Sequence, residues 1–214
     1  MTGKSSQSDM AIERGQQRRR ENHERIHSAA RSLFLERGFD ATTVDDIVSG
    51  AEVAQKTFFN HFASKDALLQ ELAASLAGEV EQLLSMQCDR PASTRSRLES
   101  FFLIAAQGAE STRLLSRDLL HRILRGSAAQ PEPSDELRRV RAAFRVVLEA
   151  GRKQGDVSSE LEMEFLADMV SGAFIAVMLH WLNESGYPLR LRLSETAKFL
   201  ESAFRPQTSA ALDA

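Results

Sequence analysis

Cysteine and proline are scarce in this 214-residue chain, with one and five copies. A lone cysteine, Cys88, excludes an internal disulfide and leaves too few thiols for a cysteine zinc cluster, so the cytosol is the natural compartment. With so few prolines, long helices meet little interruption. Long apolar runs are missing as well. The opening MTGKSSQSDM carries no apolar signal core. The longest apolar stretch, residues 169–179, falls far below the about 20 residues needed to cross a bilayer, so no membrane segment is expected. Catalytic signatures are also lacking: there is no Gly-rich phosphate loop, no GxSxG elbow and no HExxH pair. His121, His180 and Cys88 lie far apart without a ligand pair at i, i+4. Neither a metal nor a cofactor is expected, and an enzyme has little support.

What the chain does have is 43% hydrophobic residues, enough for a sizeable core. Its long periodic segments are rich in Ala, Leu, Arg and Glu and predict an all-α fold. The formal net charge of −3 hides an uneven distribution. Residues 1–65 hold 10 Lys and Arg against 9 Asp and Glu, a net of +1, and residues 66–214 hold 17 against 21, a net of −4. Arg14, Arg18, Arg19 and Arg20 cluster before the first expected helix. That cluster fits either a solvated tail or a phosphate or minor-groove contact.

The stretch TTVDDIVSGAEVAQKTFFNHFASK, residues 42–65, carries the sharpest pattern. Val44, Ile47, Val48 and Ala51 recur at i, i+3, i+4 and i+7, one face of a two-turn helix. Thr42 or Thr43 can cap it, and Asp45 or Asp46 stands three residues on, as a capping box requires. After a corner at Ala51-Glu52-Val53, residues 54–62 turn Val53, Phe58 and Phe62 inward. Gln55, Lys56, Thr57, Phe59, Asn60 and His61 are left outward. Two short helices about a tight corner make a helix-turn-helix, whose second helix enters the major groove of DNA. Gln and Lys near its start suit adenine and guanine edges. Spacing alone also admits a plain helical hairpin in a bundle.

Thr42-Thr43-Val44, Ile47, Ala51, Val53, Thr57, Phe59-x-His61-Phe62 and Ser64-Lys65-x-x-Leu68-Leu69 together resemble the N-terminal signature of the tetracycline-repressor (TetR) family of bacterial transcriptional regulators. The resemblance covers roughly residues 20–70. Beyond it only length and helical pattern correspond. It implies DNA contacts from Thr43, Gln55, Lys56, Thr57, Phe59, Asn60, His61 and Lys65. Three residues depart from the family pattern. Glu52 stands where glycine is usual, at a left-handed position that costs a side chain about 1 kcal/mol. Ala54 replaces a serine cap, a loss of about 1 kcal/mol. Phe59 replaces tyrosine, exchanging a phosphate hydrogen bond for an apolar contact such as a thymine methyl.

Along the chain, a polar and flexible basic arm is expected over residues 1–20, followed by a helix over 22–37 with apolar Ile26, Ala30, Leu33 and Phe34 and a cap at Gly38. The DNA-binding domain takes residues 21–67. Ser64 should cap a connecting helix, with Lys65 at its first turn placed for a phosphate. A linker falls at 89–94, and an effector-binding and dimerisation domain spans 68–205. Its helices are expected over 95–109, 112–125, 135–153 and 160–183, with a last one over 194–204 capped by Ser194. A disordered tail covers 206–214.

Residues 165–182 are apolar nearly all round, more than one subunit readily covers. Small residues at Ser171, Gly172, Ala173 and Ala176, with Trp181 as an anchor, suggest a homodimer through this helix and the one bearing Phe199, the alternative being an internal core helix in a monomer. Phe101, Phe102, Phe144, Phe174 and Met178, with His121 and Arg122 as polar candidates, are the expected lining for a small, mainly apolar effector, while core filling is the default role for most such Phe and Met residues. The resulting reading is a cytoplasmic repressor, released from a palindromic double-stranded DNA operator by that effector. The alternative is a helical binding or enzymatic domain whose hairpin only resembles a DNA-binding motif.

Overall fold

Residues 3–129 and 133–206 are described by the computed structural model, and every regular element among them is a helix. In order these are α1 (Gly3–Arg37), α2 (Val44–Gly50), α3 (Gln55–His61), α4 (Lys65–Cys88), α5 (Thr94–Ser111), α6 (Arg113–Ala129), α7 (Asp135–Gln154), α8 (Met163–Asn183) and α9 (Leu189–Phe204). The all-α expectation holds. Two compact units result: one runs to Leu72 and takes in Leu114–Arg122, and the other comprises Ala73–Arg113 and the chain from Ile123. The expected second domain was continuous, whereas α4 and α6 each contribute to both units. Residues 207–214 of the expected tail lie outside the described residues.

In the first unit, α1 begins at Gly3 and not near residue 22, so the stretch expected to be a flexible arm is helical from residue 3. The physical reason is composition. Proline is absent before Pro91, and the Gln, Arg and Glu residues here are good helix formers. Gln17 Nε2 donates to Glu21 Oε1 at 2.9 Å, an i, i+4 pair of the kind that supports an exposed helix. Further on, Ile26, Ala30 and Phe34 are buried, and Gly38, at φ +83°, ends the helix in the left-handed conformation. The Phe39 amide that follows donates to Asp118 Oδ2 at 2.7 Å, which fixes the corner against residues 114–122.

The second unit packs α5 on α7 and α9, and α8 on α7 and α9. Ser93 caps α5, and Asp156 accepts from both the amide and the hydroxyl of Thr94 at 2.7 and 2.8 Å. This junction needs Gly151, because a Cβ there would overlap the Thr94 hydroxyl. Gly155, at φ +88°, closes α7 as its position suggested.

Three expectations in this unit change. α9 starts at Leu189 behind Pro188, and Ser194, expected as its cap, instead donates its hydroxyl to Glu99 Oε1 at 2.5 Å. Leu200 and Phe204 are buried, but Phe199, expected on the same face, is 68% exposed. Taken as a whole, α8 is long and apolar enough to cross a membrane, because Asp168 and His180, which bound the 169–179 apolar run, lie within one unbroken helix. Its inner side packs on α7 and α9, burying Leu166, Ala167, Val170, Met178, Trp181 and Leu182, as the core helix of a globular protein does.

Candidate nucleic-acid interface

Thr43 is the cap of α2: its Oγ1 accepts from the Asp46 amide at 3.1 Å, and Asp46 Oδ2 accepts from the Thr43 amide at 2.8 Å, a complete capping box. The Thr43 hydroxyl and amide, together with Arg37, hold the Asp46 carboxyl below the usual carboxylate range. Thr42 is buried and donates its hydroxyl to Gly38 O at 2.8 Å, so the two threonines divide the work of corner and cap. Glu52 adopts φ +50°, the left-handed geometry expected of the turn. Arg25 Nη2 compensates by donating to Glu52 O at 3.3 Å and to its Oε2 at 3.0 Å. Ala54 gives α3 no side-chain cap, as its type dictates.

Beneath α3, Phe58 and Phe62 are buried and their ring centroids lie 5.7 Å apart. Above them Gln55, Lys56, Phe59 and Asn60 are exposed, while Thr57 and His61 are half-buried. Gln55 Nε2 donates across the turn to Asp45 Oδ1 at 3.1 Å. His61 sets its ring 5.6 Å from that of His23, which stacks on Phe62 and bonds Glu71 Oε1 through Nε2 at 2.6 Å. Burial, reinforced by His23 and Arg19, lowers the His61 pKa below its ordinary value. Burial likewise lowers that of His27 on α1, against the pull of Glu71.

Lys65 departs from its expected role. Its Nζ donates to Phe39 O at 2.8 Å and to Thr42 O at 2.6 Å, and stands 4.1 Å from the centre of the Phe39 ring. Its ammonium therefore ties the corner between α1 and α2 through two backbone carbonyls. Sequence reasoning also missed Arg25, Asp45, Glu71 and Asp118, whose partners lie 10 to 79 residues away. Such pairings leave no periodic trace.

Residues 26–72 match the family model described as bacterial regulatory proteins, tetR family. The transcriptional repressor KstR2 of Mycobacterium tuberculosis is 30% identical over 166 residues, covering 73% of this chain and 79% of KstR2. The chain belongs to the TetR family. An uncharacterised regulator of Bacillus subtilis, YdeS, is also 30% identical, over 76% of this chain and 81% of its own. Among solved structures, Thermus thermophilus FadR, a TetR-family repressor in complex with lauroyl-CoA, shares the fold with a TM-score of 0.67 at 22% identity, covering 90% of this chain and 98% of FadR. RolR, solved in complex with resorcinol, superposes with a TM-score of 0.67 at 21% identity, over 89% of this chain and 91% of its own. This TetR-family chain is a DNA-binding transcriptional regulator, and α2 and α3 are its helix-turn-helix.

The expected effector-lining residues separate into two groups. Phe101, Phe102 and Phe144 are fully buried and half-buried Phe174 joins them, with all ring centroids 5.4 to 6.3 Å apart. Met178 is buried on the same helix as Phe174. The aromatic side chains fill their own space as a core does. His121 and Arg122 belong to the first unit, where Arg122 Nη2 donates to Gln70 Oε1 at 3.2 Å. A 290 Å³ depression in the second unit is lined by Thr94, Arg95, Asp156 and Glu201 among others, and by none of the expected effector residues.

Trp181 is a further correction. It is 5% exposed, covered by Arg113, whose guanidinium lies 4.8 Å from the ring and donates to Trp181 O at 2.7 Å. It anchors the subunit's own core. The exposed residues of α8 include Phe165, Met169, Gly172 and Ala176, at i, i+4, i+7 and i+11, and beside them Glu164, Asp168, His180 and Asn183.

Proposed function

We propose that this regulator is a homodimeric repressor that binds a pseudo-palindromic double-stranded operator and leaves it when a small, mainly apolar effector enters the second unit. The exposed stripe of α8 carries the dimer reading. Phe165, Met169, Gly172 and Ala176 line up along one exposed side of the helix, bordered by exposed Asp168 and His180, and Phe199 of α9 stands 68% exposed. A second copy of the same face covers it under two-fold symmetry, with the small residues admitting a close helix approach. Two-fold protein symmetry in turn asks for a two-fold site. Operator DNA places the protein in the cytosol, and the packed inner side of α8 argues against a bilayer. The repressor sign rests on KstR2 and FadR, both named as repressors.

In each head, Gln55, Lys56, Phe59 and Asn60 face the groove, with Thr57 and His61 at its edge. The effector reading rests on the aromatic cluster, on Met178, and on the lauroyl-CoA and resorcinol bound by the structural relatives. An apolar molecule with one or two hydrogen-bonding groups suits such a lining. The test begins with selection of bound DNA from a random pool using the purified chain. A pseudo-palindrome should emerge, bound by two copies. A screen of acyl-CoA thioesters and small phenols by thermal shift follows, each hit being titrated with and without operator. A hit should bind about 5- to 150-fold more weakly in the presence of operator, by reciprocity. Equal affinity in both states for every hit, or a monomer tightly bound to a single half-site, would overturn the proposal.

A further inference from the structure

The two aspartates at the start of α2 are adjacent in sequence but differently occupied. Asp46 is spent on the capping box and on Arg37, 3.1 Å from its Oδ1. Asp45 is exposed, and its Oδ1 accepts from Gln55 Nε2, the first residue of α3, at 3.1 Å. A carboxylate on the same exposed face as a residue that reads DNA is an electrostatic cost, because it stands close to phosphates of the same sign. Its hydrogen bond gives it a use. We propose that Asp45 is a positioning residue that fixes the Gln55 carboxamide for adenine, making the pair a determinant of an A·T step in each half-site. The proposal rests on the reading that α3 faces the major groove.

The chemistry permits one amide orientation only. A carboxylate accepts and cannot donate, so the flipped amide would set Oε1 against Asp45 Oδ1 with no hydrogen between them. With one N–H of Nε2 held by Asp45, the other N–H and Oε1 remain as an adjacent donor and acceptor. That is the pair complementary to adenine, whose N7 accepts and whose N6 amine donates in the major groove. A freely turning glutamine would meet other edges in the reverse sense and discriminate less. The tether also removes rotamer freedom before DNA arrives, so less is lost on binding. Asp45 sits on the first turn of α2, which the capping box already holds, so its side chain is not needed to form the helix.

The experiment measures base preference at every position of the operator selected by the wild-type full-length chain, using Gln55→Ala, Asp45→Ala and Asp45→Asn. Gln55→Ala should lower the preference for adenine at one base pair per half-site by roughly 5- to 150-fold. Asp45→Ala should lower it at the same pair by about fivefold or more, leave the other pairs within about twofold, and not reduce affinity for non-cognate DNA. Asp45→Asn can donate as well as accept, admits either orientation of the Gln55 amide, and should give a preference between those of wild type and Asp45→Ala. The inference is overturned if Asp45→Ala leaves a preference that Gln55→Ala removes, if it weakens all sequences evenly, or if Asp45→Asn keeps the full wild-type preference. If Gln55→Ala shifts no position, Gln55 is not a base reader and the underlying reading of the α3 face fails with it.

Discussion

Lys65→Ala separates a structural lysine from a phosphate-binding one. In the folded chain the ammonium donates to Phe39 O and Thr42 O at 2.8 and 2.6 Å and lies over the Phe39 ring at 4.1 Å. A hydrogen bond to a charged group contributes about 1.5 to 3 kcal/mol, and an exposed cation–π contact about 0.5 to 1 kcal/mol. Lys65 is half-buried, and water can reach both carbonyls once it is gone, so the sum must be discounted. A loss of about 2 kcal/mol is the expected result, a fall in Tm of about 4 to 8 °C for a chain of this size. Lys65→Met keeps the aliphatic stem and should lose slightly less. Thermal and denaturant unfolding give the stability, and operator titration from low to high salt gives the number of phosphates neutralised. A phosphate contact predicts a slope reduced by about one with Tm unchanged. Observing that pair of results would refute the tie at the α1–α2 corner; a lower Tm with an unchanged slope establishes it.

Glu52→Gly should raise stability by up to about 1 kcal/mol in chemical denaturation, since glycine relieves φ +50° while the exposed Arg25 pair it loses contributes little; Glu52→Ala, which keeps the strain and loses the pair, should not. His27 and His61 have folded pKa values lowered from 6.5, so the unfolded chain takes up protons first and stability is lost as pH falls from about 6.5 towards the folded values. Denaturation midpoints measured from pH 8 to 5 should drop over that window, and less so in His27→Gln. Gly151→Ala should cost about 1 to 3 kcal/mol, because the new methyl overlaps the Thr94 hydroxyl; a Tm equal to wild type would show that the α5–α7 junction yields freely. Ala176→Arg, on the exposed stripe of α8, should give a monomer in sedimentation with the helical content intact, and a persisting dimer would place the interface elsewhere.

What the sequence made legible was periodic or local. Ile26, Ala30 and Phe34 on α1, Ile47 and Ala51 in and after α2, and Phe58 and Phe62 on and after α3 were expected inward from spacing alone and are buried. Thr43, Ser64, Gly38 and Gly155 mark their termini by residue type, and each ends or begins its helix as its chemistry requires. For Lys65, residue type points to an anion at the first turn of a helix, and sequence does not show that two carbonyls 23 and 26 residues earlier come within reach. Trp181 was misread for a related reason. Its size suits an interface centre, but Arg113, 68 residues away, covers it inside the subunit. His121 and Arg122 were grouped with the phenylalanines on side-chain type, which carries no information about which unit a segment of α6 joins.

The same aromatic packing constrains how an effector acts. Phe174 contacts the rings of Phe101, Phe102 and Phe144, and it alone among the four is half-buried. A ligand entering this cluster must take the place of a ring, and Phe174 is the one nearest solvent. Three aromatic contacts at about 0.5 to 1.5 kcal/mol each set the cost of turning it out at about 1.5 to 4.5 kcal/mol. That cost reduces the apparent affinity of any effector by about 10- to 2,000-fold relative to an open cluster. Only a ligand that restores apolar contact to the three remaining rings recovers it, which is why polar metabolites of similar size should be rejected. On the function proposed above, the second unit stays packed until an apolar molecule of sufficient area arrives. The effector then works by selecting a rearranged state, since it shifts operator affinity only through its preference for that state over the packed one.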